Sequence, residues 1–140
     1  MTPDNKPRTP RPRIAALLLG GWVASIALLA IEGTGSAAQR EIPVATFAHA
    51  DKLLHAAAWC WLALLLTPAL VLLRPQRAKL ALVVSVCTNV AVGALIEVVQ
   101  AGYGASHGRS ADLLDVVADA TGAFIGALLA YALLRRLNKI

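Results

Sequence analysis

The chain has 140 residues, of which 58% are hydrophobic, and its mean hydropathy is +0.66. The apolar residues form continuous blocks, which excludes an ordinary soluble domain, where they are spread periodically. The net charge of +5 and the pI near 9.8 suggest a nucleic-acid partner, but the basic residues sort by membrane topology, so we expect no nucleic acid.

Four apolar blocks of about 18 to 22 residues predict four transmembrane helices, because about 20 helical residues cross the hydrocarbon of a bilayer. Continuous apolar runs favour helices over the alternating strands of a barrel. We expect an all-α membrane protein whose residues 14–137 form a single four-helix domain. The blocks are Ile14–Ile31, Leu53–Leu73, Leu80–Val99 and Leu113–Leu134.

The segment before the first block is rich in proline and basic residues. Residues 1–13 therefore predict a disordered, basic cytoplasmic tail. The apolar core that follows has 18 residues. A signal peptide has a core of about 7 to 15 residues, so we do not expect cleavage.

The basic residues lie in alternate segments of the chain. Ten of the 13 fall in the N-terminal tail, the Arg74–Lys79 turn and the last residues from Arg135. The positive-inside rule places these segments, and hence both termini, in the cytoplasm. The connections at 32–52 and 101–112 then face outward.

The second helix opens with polar residues at the predicted outer boundary. Asp51 suits a helix start, where a carboxylate accepts backbone N–H bonds and favours the dipole. Asp51, His55 and Trp59 are spaced four apart and share one face, with Lys52 beside them.

The third helix carries a stripe of small and polar residues. Ser85, Asn89, Gly93 and Glu97 are four apart, and Gln100 follows three residues later. This spacing puts all of them on one face, with the ionisable residue near the outer end.

The fourth helix continues the pattern after Arg109 and Asp112 in the preceding connection. Its stripe consists of Asp115, Asp119, Gly122 and Gly126. Gly122 and Gly126 have the spacing typical of close membrane-helix packing. Gly93 is the predicted packing residue of the third helix. An unpaired Asp119 would cost roughly 2.5–3.5 kcal/mol in hydrocarbon, which argues that it has a partner.

If the polar faces of the second, third and fourth helices are turned toward one another, they form a polar pocket. We expect this pocket to be open to the outer side. A structural ion-pair network, for example Arg109 with Asp112 or Asp115, is the alternative explanation. The predicted ligand-binding residues are Asp51, Lys52, His55, Trp59, Glu97, Gln100, Arg109, Asp112, Asp115 and Asp119.

The ordered set of motifs closely resembles the VanZ-like family of small bacterial membrane proteins over roughly residues 14–135. The motifs are Asp51-Lys52-Leu-Leu-His55, Glu97-Val-Val-Gln100 and Arg109-Ser followed by Asp115, Asp119, Gly122 and Gly126. The family usually has Tyr or Phe at the position of Trp59 and Asn at that of Asp119. The additional carboxylate makes this pocket more acidic.

The resemblance implies a cell-envelope role in the bacterial cytoplasmic (inner) membrane. The family is named after a protein associated with low-level resistance to the glycopeptide teicoplanin. The resemblance does not identify a chemical reaction. One hypothesis is therefore binding of an envelope lipid, a lipid-linked precursor or a glycopeptide. Lys52 and Arg109 would hold an anionic group, and the acids would orient Arg109 or meet a cationic or hydroxyl-rich ligand.

Other functions remain open. A small intramembrane enzyme would use His55, Glu97, Asp115 and Asp119 as acid–base candidates, and such a cluster can also hold a divalent cation. The sequence has no nucleophile motif, which argues against an enzyme. Cys60 and Cys87 lie in predicted helices without metal-ligand spacing. We expect no metal site and no cofactor. A structural protein would bind a membrane-protein partner or a second copy. It would use the face of Gly122 and Gly126 and the first helix, whose Gly20-Gly21 face also consists of small residues. A transporter would need oligomers.

Overall fold

The computed structural model describes residues 11–34, 50–104 and 113–137, which form four long α-helices. Each is long and apolar enough to cross a membrane. The predicted all-α architecture with four such helices is confirmed. They are α1 (Arg11–Thr34), α2 (Ala50–Leu73), α3 (Ala78–Gly104) and α4 (Leu113–Arg136), with a 3-10 turn at Pro75–Arg77.

Two helices extend beyond the apolar blocks that predict them. Helix α1 begins at Arg11, before the predicted start at Ile14, and residues 1–10 of the predicted tail lie outside the described residues. Helix α3 continues to Gly104, so the first part of the predicted outer loop is helical. One glycine costs a helix only about 1 kcal/mol relative to alanine, so Gly102 does not end α3.

Helix α2 is central and packs against the other three. Helix α1 runs antiparallel to it, because Gly21 faces Leu65 and the Nε1–H of Trp61 donates to Oγ of Ser25 at 3.3 Å. The short 3-10 turn makes α3 antiparallel to α2 as well. Both described chain ends, at the start of α1 and the end of α4, therefore lie at the same end of the bundle.

The bundle has two chemically different ends. The acidic end comprises the start of α2, the end of α3 and the start of α4, and carries Asp51, Glu97 and Asp115. The basic end comprises the Arg74–Lys79 turn and the end of α4 with Arg135.

The closest helix pair is α2 with α4, which run parallel. Gly122 faces the backbone of Ala56, and Gly126 faces that of Cys60. A Cβ atom at either glycine would lie closer than 3.0 Å to backbone atoms of α2, which real Cβ atoms essentially never show. The structural hypothesis requires this face to be free for a second membrane protein. In the structure, α2 covers it.

Polar side chains deep in the bundle pair with one another. The Nε1–H of Trp22 donates to Oδ1 of Asn89 at 3.0 Å, and Nδ2 of Asn89 donates to the carbonyl of Ser85 at 2.9 Å. The hydroxyl of Thr67 donates to that of Ser85 at 2.8 Å. Among the described residues, no buried side-chain nitrogen or oxygen lacks a partner, as burial in a low dielectric demands.

The outer surface of the bundle is apolar. Leu17 and Leu113 are each 76% exposed, and Val98 is 68% exposed. Such a surface is unfavourable in water, whereas lipid solvates it. Together with the four spans, it identifies a multi-pass membrane protein.

Gly122→Ala should destabilise the fold by roughly 1–3 kcal/mol, because the added methyl group overlaps the backbone of α2. Gly20→Ala in α1 is the matched control, since its added Cβ meets nothing within 4 Å. The control should be as stable as the wild type, or more stable, because alanine favours helix. Unfolding in mixed micelles with rising SDS, followed by tryptophan fluorescence, measures both; equal stability of the two variants would contradict the close packing.

Candidate functional site

Ionisable side chains from three helices meet at the acidic end. Lys52 and His55 come from the start of α2, Glu97 from the later part of α3, and Asp115 and Asp119 from the start of α4. Because α2 and α4 are parallel, their first turns lie side by side. Because α3 is antiparallel to both, its last turns reach the same level.

Lys52 is held between two carboxylates. Its Nζ lies 2.5 Å from Oδ1 of Asp115 and 3.0 Å from Oδ2 of Asp51. The side chains of Lys52 and Asp115 are 19% and 16% exposed, whereas that of Asp51 is 64% exposed. Water therefore screens the Asp51 pair far more than the Asp115 pair. The charge of Lys52, which the sequence assigns to an anionic ligand, is balanced within the chain.

His55 bridges two acids of α4. Its Nδ1 lies 2.9 Å from Oδ1 of Asp119, and its Nε2 lies 3.8 Å from Oδ1 of Asp115. An ionised Asp119 accepts a hydrogen bond from the Nδ1–H. The side chain of Asp119 is only 3% exposed, so this bond offsets part of the cost of burying a carboxylate.

Glu97 completes the cluster from α3 and is 8% exposed. One ligand atom each from His55, Glu97 and Asp115 lies within 4.8 Å of the others. An imidazole with two carboxylates is a donor set that divalent cations accept. A cation at this place would compete with Lys52, whose ammonium already contacts Asp115.

Gly93 and Trp59 form the floor of the cluster. A Cβ atom on Gly93 would lie 2.9 Å from Oδ2 of Asp119 and 3.1 Å from Cζ2 of Trp59. Only a glycine lets α3 come this near without displacing one of the two side chains. Trp59 is 4% exposed and belongs to the main apolar core, so the cluster is bounded on its inner side by apolar side chains.

The cluster is acidic overall. Its described residues include four carboxylates, those of Asp51, Glu97, Asp115 and Asp119, and one ammonium group, that of Lys52. With His55 neutral, their formal charge is −3. A surplus of acceptor oxygens favours a ligand that offers hydroxyl or amino groups.

Three predicted ligand-binding residues cannot be placed in this geometry. Arg109 and Asp112 lie outside the described residues, and Gln100 belongs to α3 but its side chain lies outside the described part. The structure brings together Lys52, His55, Glu97, Asp115 and Asp119 and sets Trp59 beneath them, with Asp51 at the edge. A ligand-binding role for these residues stays a prediction.

The ion-pair partner of Asp115 was not predicted from the sequence. The sequence offers Arg109 as the partner of Asp115, whereas the described contact is with Lys52. Charge pattern alone does not find this pair, because it depends on which residues of α2 and α4 stand at the same height. The glycine spacing of α4 shows that the helices approach closely, but not in which register.

The comparisons with known proteins give one family. The model of the VanZ/LLP1 family matches residues 12–135, which is nearly the whole chain. No curated protein and no solved structure gives a significant match.

A double-mutant cycle tests the Lys52–Asp115 pair. Lys52→Gln and Asp115→Asn should each destabilise the fold, because each leaves a partly buried charge less compensated. In the double variant the combined loss should be smaller than the sum by about 0.5–3 kcal/mol, as is typical of residues in contact.

The matched control for this cycle pairs Lys52→Gln with Asp51→Asn. Asp51 is exposed, so water screens its pair with Lys52, and its coupling to Lys52 should be much smaller than that of Asp115. Unfolding free energies in mixed micelles provide all the values. Additive losses at Lys52 and Asp115 would show that the contact contributes nothing to stability.

Proposed function

The chain belongs to the VanZ/LLP1 family, and we propose that it binds a polar cell-envelope ligand at the cluster of its acidic end. The observation that carries the proposal is the convergence of His55, Glu97 and Asp115, each from a different helix, with ligand atoms within 4.8 Å. Ionisable groups near hydrocarbon persist because they are paired or because they serve a function. In this cluster, four described carboxylates accompany one described ammonium group, that of Lys52.

The excess of carboxylates indicates what kind of ligand fits. Carboxylate oxygens only accept hydrogen bonds, so they suit hydroxyl-rich or amine-bearing groups. Sugars and amines of a glycopeptide, or the head of a lipid-linked precursor, carry such groups. Lys52 supplies the one described ammonium beside them, and Arg109, in the segment before α4, would hold the phosphate of a lipid-linked ligand through its planar fork.

We place the protein in the bacterial cytoplasmic (inner) membrane, with its basic end in the cytoplasm and its acidic end outward. Ten of the 13 basic residues fall in the N-terminal tail, the Arg74–Lys79 turn and the chain from Arg135 onward, and the described parts of these segments lie at the basic end. This distribution and the positive-inside rule support the orientation. In this orientation the cluster would face the compartment in which glycopeptides act. A link to teicoplanin resistance follows as part of the proposal.

An enzyme is the second candidate, favoured by the orientation of His55. Its Nδ1 is fixed by Asp119 at 2.9 Å, while its Nε2 turns toward the centre of the cluster. A histidine whose one nitrogen is held by a buried acid is suited to proton transfer at the other. The described residues of the cluster include no serine or cysteine nucleophile. An enzyme of this kind would therefore act on a bound lipid-linked substrate by acid–base catalysis.

A binding experiment tests the proposal and separates the two candidates. Purified protein in nanodiscs is titrated with lipid-linked peptidoglycan precursor and with fluorescent teicoplanin. Glu97→Gln and Asp119→Asn should each weaken capture of the binding probe by about tenfold, which is the loss of one hydrogen bond to a charged group. Thr121→Val is the control, because its exposed hydroxyl donates only to the carbonyl of Val117 in α4.

Mass spectrometry of the recovered probe distinguishes binding from turnover. Unchanged probe together with weaker capture by the variants supports binding. A product that wild type forms and Glu97→Gln does not form supports the enzyme instead. Equal capture by wild type, Glu97→Gln and Asp119→Asn would overturn the proposal.

The orientation has its own test. Green fluorescent protein fused after Ile140 should fluoresce, and alkaline phosphatase at the same place should be inactive, because the C-terminus follows the basic end of α4. Fusions within the segment at 35–49 should give the reverse result. An active phosphatase at the C-terminus would invert the proposed topology.

A further inference from the structure

A cavity of about 480 Å³ opens at the basic end, far from the acidic cluster. It lies between the 3-10 turn, the start of α3 and the end of α4. Its volume is within the range of small-ligand sites, about 300–1,000 Å³. The residues that line it include Arg77, Lys79, Leu80, Tyr131 and Arg135.

Three cations surround this cavity. Arg77 and Lys79 come from the turn and the start of α3, and Arg135 comes from the last turn of α4. No ion pair within the described residues involves any of the three. The acidic residues of the described ranges all lie toward the other end of the bundle, so the cavity has a positive potential.

The cavity also has an apolar side. Leu80 lines it and is 51% exposed. Leu133 near the end of α4 and Leu137 just after it are also exposed. Tyr131 is half-buried on the inner wall, where it packs against the apolar cluster of Val71 and Leu134. Cations beside lipid-exposed leucines at a helix end match the division of a phospholipid into head and chains.

We propose that this cavity binds the phosphate of an anionic phospholipid. Arg77 and Arg135 supply planar forks that suit two phosphate oxygens, and Lys79 adds a compact charge. The acyl chains would then lie along Leu80 and the leucines of α4. A soluble phosphate shares the head-group chemistry but would gain nothing from this apolar side.

The positive-inside rule alone accounts for basic residues at this end, but it does not require them to surround a cavity. Arg13, Arg74 and Arg136 lie at the same end and do not line it. These two sets of three cations therefore separate specific binding from a general attraction to anionic lipid. The site is independent of the proposed function, because it shares no residue with the acidic cluster.

The experiment compares two triple variants of the full chain. One carries Arg77→Gln, Lys79→Gln and Arg135→Gln, and the matched control carries Arg13→Gln, Arg74→Gln and Arg136→Gln. Both are purified from nanodiscs of phosphatidylcholine with phosphatidylglycerol, and native mass spectrometry counts retained lipid. Arg77→Gln alone is measured as well, in case the first triple variant does not fold.

The cavity variants should lose retained phosphatidylglycerol by about fivefold for each cation removed, while the control triple variant keeps it. Equal loss in both triple variants, or no loss in either, would overturn the proposal. Adding inorganic phosphate separates the two sources of the anion. The control triple variant keeps the three cavity cations, so phosphate should act on it as on the wild type. If inorganic phosphate displaces the lipid from both, while sodium chloride of equal ionic strength does not, the site belongs to soluble phosphate and the lipid assignment is wrong.

Discussion

The close, parallel contact between α2 and α4 sets the geometry of the rest of the molecule. Gly122 and Gly126 let the two backbones touch at Ala56 and Cys60. This contact fixes the relative height of the helices, because backbone against backbone leaves no room to slide. The register then aligns the first turns of the two helices, where the ionisable side chains lie.

The cluster follows from this register, residue by residue. Lys52 stands opposite Asp115, and His55 stands opposite Asp119 one turn deeper. Helix α3 brings Glu97 to the same place, because Gly93 leaves space for Asp119. A carboxylate as buried as Asp119 needs its partner at hydrogen-bonding distance, so the packing of glycines and the pairing of charges support each other.

The two ends of the bundle separate two kinds of chemistry. The acidic end concentrates acceptor oxygens in a compact cluster next to an apolar core. The basic end concentrates cations around an open cavity. Between them, the polar side chains of Asn89 and Ser85 are satisfied within the chain. Among the residues that the structure describes, no buried polar side-chain atom is left without a partner to join the two ends.

The sequence by itself determined the four apolar helices, the faces that turn inward and the ends at which charge collects, because these follow from block length and helical spacing. It did not determine that Lys52 pairs with Asp115, or that α3 extends to Gly104. Pairing depends on the relative height of two helices, and a shift of one turn, about 5.4 Å, gives each residue a different neighbour. Only the tertiary contacts of Gly122 with Ala56 and of Gly126 with Cys60 select one height, because the two backbones meet there.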